Sequence, residues 1–214
     1  LLPTFMADPE IHVELSGQDL IYWYLGFNNL MINRTWREAL SYAYNYSYVV
    51  EEILNGEATR AHPAVPAVYP GHNASVQANL PTMDISYARS IMQSMGFGVG
   101  WDTTYPGTNE ADWASESFAS SNFGGPLELN LIFGNSRNAD INALASTMWQ
   151  LIGIDTTEIV RNFFDFLTLG WTTPNDLQIW HVGWGPDYPD AYNMLNPVFN
   201  PNSIDNFGQV NISM

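Results

Sequence analysis

The second half of the chain alternates between two hydrophobic periodicities, and this alternation restricts the fold more than any other feature. The segment LELNLIF, residues 127–133, carries apolar side chains at every second position, which predicts a half-buried strand. Apolar residues then recur at helical spacing over residues 141–151. Two further strands are predicted over 154–160 and 177–182, with a short helix over 162–169 between them. Strands that alternate with helices predict an α/β domain in which helices pack on a mixed or parallel sheet.

The first half of the chain predicts a similar mixture of elements. The run IHVELS, residues 11–16, alternates and predicts a first strand, and residues 21–32 are aromatic-rich and predicted to be extended and buried. Residues 34–54 have helical spacing, and the polar NYS at 45–47 is predicted to divide them into two short helices. Asp84 is predicted to cap the next amphipathic helix.

Two stretches lack a regular period. Residues 61–73 are too rich in proline for a helix or a central strand, and we predict a loop there. Residues 98–125 are rich in Gly, Ser, Thr, Asn and Asp, and we predict a long loop or insertion. His62 and His72 flank the proline-rich loop without acidic or sulfur neighbours at metal-ligand spacing, so the sequence predicts no metal site.

The composition excludes several classes of function. With 214 residues and 46% hydrophobic content the chain can bury a sizeable core, which favours one large domain. Its net charge of -16 repels phosphate backbones and argues against nucleic-acid binding. The absence of cysteine excludes disulfides, thiolate metal sites and cysteine nucleophiles. No nucleophile elbow, phosphate-binding loop or metalloprotease motif is present.

The segment GWGPDYPD, residues 183–190, is the best candidate for a binding site. Its prolines restrict the backbone and its glycines permit tight turns, so the loop should present side chains rigidly. Trp184 offers an apolar wall and Asp187 a carboxylate suited to a primary ammonium or to sugar hydroxyls. We expect Asp190 to cap the following helix, whereas a glycosidase pair formed by Asp187 and Asp190 is a weak alternative.

Four motifs stand in sequence order at residues 33–59, 83–97, 151–155 and 183–199. Together they resemble motifs of the oligopeptide- and dipeptide-binding type (family 5) of extracytoplasmic solute-binding proteins of ABC transporters. The first resembles the arginine-alanine-leucine helix of that family and the helix that follows it, and the second resembles its Asp-capped helix. The third and fourth resemble its Leu/Ile-Gly-Ile step and its Gly-Trp-x-x-Asp-Tyr signature. These four motifs are distributed along most of the chain, from residue 33 to residue 199.

The resemblance implies a fold and a place in a larger protein. It implies a mixed sheet flanked by helices, forming one lobe of a two-lobed periplasmic-binding-protein-like (type II) fold. Residues 1–214 would be the second, ligand-binding lobe of a longer chain, and the first lobe of that parent would be a partner.

The resemblance also implies the site residues. It assigns ligand binding to Asp187, Trp184, Gly185, His181 and Tyr188, with Asp187 holding the α-ammonium of a peptide. His181 occupies a position where some oligopeptide binders have an arginine that contacts the ligand carboxylate. The resemblance implies no catalytic residue, no metal and no cofactor.

The expected function is therefore non-enzymatic binding of peptides, or of a similar small solute, for delivery to an ABC transporter permease. The expected location is extracytoplasmic, either periplasmic or at the cell surface, with a membrane anchor on the full-length parent. Relatives in this family also bind nickel complexes and oligosaccharides. The alternative from another class is a carbohydrate-binding or carbohydrate-active module that uses exposed Trp and Asp.

Overall fold

One four-stranded mixed sheet organises the fold in the order β1–β4–β2–β3. The computed structural model describes residues 2–14, 21–61, 65–133, 136–172 and 174–210. Strands β2 and β3 are parallel, β2 and β4 are parallel, and β1 runs antiparallel to β4 at one edge. The strands are β1 Tyr22–Phe27, β2 Leu127–Ile132, β3 Thr156–Arg161 and β4 Ile179–Trp184. This arrangement confirms the predicted α/β class with a mixed sheet.

Helices precede, connect and follow the strands. The first half contains α1 Leu2–Ala7, α2 Arg34–Tyr42, α3 Tyr46–Tyr48 and α4 Ile85–Ser94, together with a π-helical turn Val49–Ile53 and a 3-10 helix Ala74–Asn79. The second half contains α5 Glu110–Ser115, α6 Phe118–Phe123, α7 Ser136–Gln150, α8 Phe163–Gly170 and α9 Ala191–Phe199.

Helices α7 and α8 cover opposite faces of the sheet. Successive strand residues point to opposite faces, and in β4 the side chain of Ile179 joins the cluster around α7 whereas Trp180 joins the cluster around α8. On the α7 face, Trp149 is fully buried and its indole N–H donates to the Leu40 carbonyl at 2.9 Å. The hydrophobic core therefore lies on both sides of the central strands, and each crossover helix shields one side.

Local hydrogen bonds explain where several helices begin. The side chain of Asn33 accepts from the backbone of Trp36 at the start of α2, and Asn45 accepts from Tyr48 at the start of α3. Asp84 caps α4 as predicted. The division of residues 34–54 is also confirmed, because α2 ends at Tyr42 and a separate helical turn begins at Tyr46.

The predicted long loop over residues 98–125 is wrong, because this segment contains α5 and α6 and contributes to the core. Trp113 is fully buried, and its ring packs edge-on against Trp101 and close to Phe118. The Trp113 indole N–H also donates to the Asp102 carbonyl at 2.9 Å. Helices of six residues are too short for periodicity to reveal them, so the polar composition misled the sequence interpretation.

The predicted first strand over residues 11–16 is not found in the part that the structure describes. Residues 11–14 have no regular structure, and residues 15 and 16 lie outside the described residues. Alternation predicts a strand only where a neighbouring strand can pair with it, and the paired strand at this edge is β1 instead. The extended segment predicted over 21–32 is confirmed over Tyr22–Phe27.

Candidate functional site

The candidate site is the loop that joins β4 to α9. Strand β4 ends at Trp184, and α9 begins at Ala191. The carboxylate of Asp190 accepts a hydrogen bond from the backbone N–H of Tyr192 at 2.7 Å, which confirms its predicted role as a helix cap. Asp190 is thus engaged by its own helix, and the geometry gives no support to a glycosidase pair with Asp187.

Asp187 lies at the exposed tip of this loop, and its backbone is held in place. Its N–H donates to the Asn193 side-chain oxygen at 2.9 Å. Within the part of the chain that the structure describes, the Asp187 carboxylate has no hydrogen-bond or ion-pair partner. A carboxylate that is fixed in position but unpaired can accept a cationic group from a ligand.

Trp184 is half-buried at the base of the loop. Its indole N–H donates to the Asn193 carbonyl at 3.0 Å, and its ring packs in a cluster with Tyr69 and Met194. Asn193 therefore holds both candidate residues, Trp184 through its carbonyl and Asp187 through its side chain. Sequence reasoning missed Asn193, although a polar residue on the apolar face of an amphipathic helix was a usable signal.

Gly185 and Tyr188 border the same loop. Gly185 has no left-handed backbone conformation, and a β-carbon there would meet Ile21 only at ordinary contact distance, so this position needs no glycine for geometry. Gly183 is the constrained one, because a β-carbon there would lie 2.9 Å from the Trp23 ring. Tyr188 is half-exposed and directly follows Asp187 in the loop.

His181 does not join the other candidate residues. Its side chain points to the α7 face of the sheet and is only 3% exposed, while Trp184 points to the opposite face. Burial lowers the pKa of His181 to about 4, although a hydrogen bond with the Asn138 backbone opposes this shift. The expectation that His181 contacts a ligand carboxylate needs correction, because at neutral pH this imidazole is buried and uncharged.

Behind Trp184 lies a cavity of about 330 Å³ on the α8 face of the sheet. Its walls come from β1 and β4, from α9 and from residues 205–210. Its lining includes Tyr24, Trp180, Trp184, Val198, Asp205 and Arg37.

The described residues contain no group of three or more metal-ligating side chains that could hold a metal ion. Among the same residues, no helix is both long and apolar enough to cross a lipid bilayer. His62, one of the two histidines that flank the proline-rich loop, lies outside the described residues.

Comparison with known protein families gives a match over most of the chain. Residues 2–206 match the model of bacterial extracellular solute-binding proteins, family 5, middle region. A curated relative, heme-binding protein A of Haemophilus influenzae, is 23% identical over 208 residues, which cover 96% of this chain and 34% of the relative.

Solved structures give the same fold. HbpA2 from Haemophilus parasuis matches with a TM-score of 0.73 and 17% identity over 99% of this chain and 38% of its own. DppA from Helicobacter pylori, in complex with peptide STSA, matches with a TM-score of 0.73 and 16% identity over 99% of this chain and 37% of its own. The chain spans about a third of the length of these relatives. These likenesses confirm the predicted periplasmic-binding-protein-like fold.

Proposed function

The chain belongs to the bacterial extracellular solute-binding proteins of family 5, and from this premise we propose that it is the second, ligand-binding lobe of a two-lobed peptide receptor. Such a receptor closes over its ligand by a hinge motion, which buries the ligand between the lobes. The closed form then delivers the peptide to an ABC transporter permease. In this proposal the lobe binds and releases its ligand without chemical change.

The observation that carries the proposal is the exposed and unpaired carboxylate of Asp187 among the described residues. This carboxylate is exposed, unpaired among the described residues, and fixed through its backbone by Asn193. This hydrogen bond holds the Asp187 backbone before a ligand arrives, which reduces the entropy cost of binding. In the closed protein an α-ammonium at this carboxylate would lose most of its water, and the ion pair would strengthen accordingly.

The choice of a peptide as the ligand rests on further support. The Helicobacter relative was solved with a peptide bound. The net charge of -16 attracts a cationic ammonium group and repels ligands with a high negative charge. Trp184 provides a flat apolar wall next to the loop, and Gly185 and Tyr188 complete the proposed contact surface. No observation on this chain favours the alternative of a carbohydrate module.

The remaining assignments follow from the same proposal. The partners are the first lobe of the parent chain, the permease and a peptide or similar solute. The location is extracytoplasmic, in keeping with the family, and the parent would be tethered to the membrane. We also expect the isolated lobe to bind peptide feebly, because half of the contacts belong to the other lobe.

The test is to substitute Asp187→Asn in the two-lobed parent and to measure peptide binding by calorimetry. Truncating one partner of a desolvated charge pair costs about 2 to 5 kcal/mol, so the affinity for a free peptide should fall more than tenfold. Acetylating the peptide amino terminus should weaken wild-type binding strongly and should affect the variant little. Asp190→Asn is the matched control, because asparagine preserves the helix cap and this carboxylate has a local partner.

Equal losses on acetylation in the wild type and in Asp187→Asn would contradict the proposal. Micromolar or tighter peptide binding by this lobe alone would contradict the two-lobed arrangement.

A further inference from the structure

Strand β1 forms one edge of the sheet in the described part of the chain, and its outer side has no partner strand there. The Asn28 N–H donates to the Gln178 carbonyl at 2.9 Å, and these two residues stand directly opposite each other in the register of β1 and β4. Opposite residues of an antiparallel pair exchange hydrogen bonds at every second position. The even-numbered residues of β1 therefore bond to β4, whereas Trp23 and Leu25 direct their backbone N–H and C=O groups away from it. No other group among the described residues bonds to these outward groups.

The composition of β1 leaves this edge unprotected. Natural proteins guard an exposed edge strand with charged side chains or proline, because its free backbone groups can pair with another strand. The sequence of β1, YWYLGF, contains neither. The strand at the other edge, β3, carries Glu158 and Arg161. This contrast indicates that β3 is a solvent-facing edge, whereas β1 is an edge that another segment covers.

The cavity of about 330 Å³ runs along the same edge. Consecutive strand residues point to opposite faces of a sheet. Because Leu25, Gly26 and Phe27 all line the cavity, it reaches around the edge of β1. Val198 and Phe199, at the end of α9, add apolar surface to it. A docked strand buries this surface and also supplies partners for the outward N–H and C=O groups of β1.

The described chain leads to this edge. The N–H of Asn29, which follows β1, donates to the Gly208 carbonyl at 2.9 Å, and the Asn29 side chain donates to the same oxygen at 2.6 Å. Val210, the last described residue, lines the cavity. The relatives are about three times as long as this chain, so a parent of similar length has further chain to place beside β1.

We propose that the outer edge of β1 docks a β-strand, and that this strand is a segment of the parent chain beyond residue 214. The incoming strand pairs with the backbone of Trp23 and Leu25, and its side chains fill the cavity. The cavity is then a joint between two parts of the parent and not a ligand pocket. The identity of the occupant rests on the proposed function, because it requires a longer parent, whereas the unprotected edge does not.

The test is residue-resolved hydrogen exchange, measured by mass spectrometry without peptide on the two-lobed parent and on the isolated 214-residue chain. We expect the Trp23 and Leu25 amides to exchange at least about 100-fold more slowly in the parent than in the isolated chain, because docking places them in hydrogen bonds.

The outer edge of β3 is the control for this measurement. The Leu127 N–H donates to the Asp155 carbonyl, so the odd-numbered residues of β3 bond to β2 and the amides of Glu158 and Val160 point outward. These two amides should exchange at the same rate in the parent and in the isolated chain. The proposal is overturned if the β1 edge gains no protection in the parent, or if both edges gain equal protection.

A proline on the outer side of β1 tests strand pairing directly, since it removes an outward N–H and spares the bonds to β4. In the parent, Trp23→Pro should return the Leu25 amide to the fast exchange of the isolated chain. Val160→Pro is the matched control on β3, because the Trp23 and Val160 side chains are 50% and 52% exposed, and it should leave Leu25 protected. Trp23→Ala keeps the N–H and should also leave Leu25 protected. A protected Leu25 amide in Trp23→Pro would contradict the proposal, and the Tyr24 amide, which bonds to β4, reports whether each variant is folded.

The occupant is identified by photo-crosslinking in the parent, with p-benzoylphenylalanine in place of Trp23. We expect the crosslinked peptide to come from the same molecule and from beyond residue 214. A crosslink to a segment that precedes residue 1, or a crosslink between two molecules, shows that the assigned occupant is wrong.

The docking site and the proposed function fail separately, because hydrogen exchange is measured without peptide. If the parent binds peptide but the Trp23 and Leu25 amides stay unprotected, the docking site is wrong and the proposed function stands. If these amides are protected but no peptide binds, the proposed function is wrong and the docking site stands.

Discussion

Glu110→Ala removes the only carboxylate that faces a fully buried arginine in the described part of the chain. Arg89, in the middle of α4, has no solvent-exposed surface. Its guanidinium donates to both Glu110 oxygens, at 2.8 and 3.0 Å, and to the carbonyl of Thr104 at 2.9 Å. Its Nε donates to the Leu151 carbonyl at 3.0 Å, so the arginine joins α4, α5 and the end of α7.

The expected loss follows from what remains after the substitution. Breaking a buried ion pair by removing one partner costs about 3–5 kcal/mol, because the other charge stays buried and unpaired. Here Arg89 keeps its two carbonyl partners, and the Glu110 side chain is 35% exposed, so water can enter where the carboxylate was. We therefore expect Glu110→Ala to lower the free energy of unfolding by about 3 kcal/mol, the lower end of that range. For a chain of this size, such a loss lowers the melting temperature by roughly 6–12 °C.

The assay is urea unfolding followed by near-UV circular dichroism, with Glu57→Ala as the matched control. Glu57 pairs with Arg137 at the same 2.8 Å distance, but the Arg137 side chain is 56% exposed. An exposed pair contributes about 0–1 kcal/mol, so the control should unfold almost like the wild type. Equal destabilisation by Glu110→Ala and Glu57→Ala would refute the reasoning, because burial would then not set the cost.

The same pair predicts a pH dependence. The hydrogen bonds from Arg89 hold the pKa of Glu110 below its ordinary value of 4.5. A carboxyl with a lowered folded-state pKa contributes stability above its unfolded pKa and loses it as the pH falls through the folded value. Wild type should therefore lose more stability than Glu110→Ala on acidification below about pH 4.5.

Three other substitutions test separate parts of the chain. Burial lowers the pKa of His181 from 6.5 to about 4, so the free energy of unfolding should fall by roughly 3 kcal/mol as the pH falls from 6.5 to 4. His181→Phe should remove most of this loss, as measured by urea titrations at several pH values. Asn193→Ala should lower peptide affinity about three- to tenfold in calorimetry by freeing the Asp187 backbone, and Asn193→Asp, which keeps the acceptor, should restore it. Gly26→Ala should cost about 1–3 kcal/mol in thermal unfolding, because its β-carbon would overlap the Trp180 ring; an unchanged melting temperature would show that the ring can move.

The sequence alone determined the features that depend on neighbours along the chain. The alternation of LELNLIF predicted β2, because a strand with one buried face repeats every two residues. Asp84 and Asp190 were identified as helix caps because each accepts from a backbone N–H two or three residues later. The motif that leads from β4 through Asp187 into α9 was likewise visible, since its tryptophan, prolines and aspartates are consecutive.

Only the tertiary structure decided which side chains meet across distant parts of the chain. Arg89 is buried because Glu110 and Leu151 reach it from other segments, whereas the pattern of α4 gives a charged residue no reason to be inside. His181 and Trp184 are three residues apart in one strand, yet the pleat sends them to opposite faces of the sheet. The cavity beside Trp180 exists because β1, β4 and α9 converge there. The hydrophobic pattern of a segment predicts which of its faces is buried. Which other segment packs on that face depends on contacts between residues far apart in sequence.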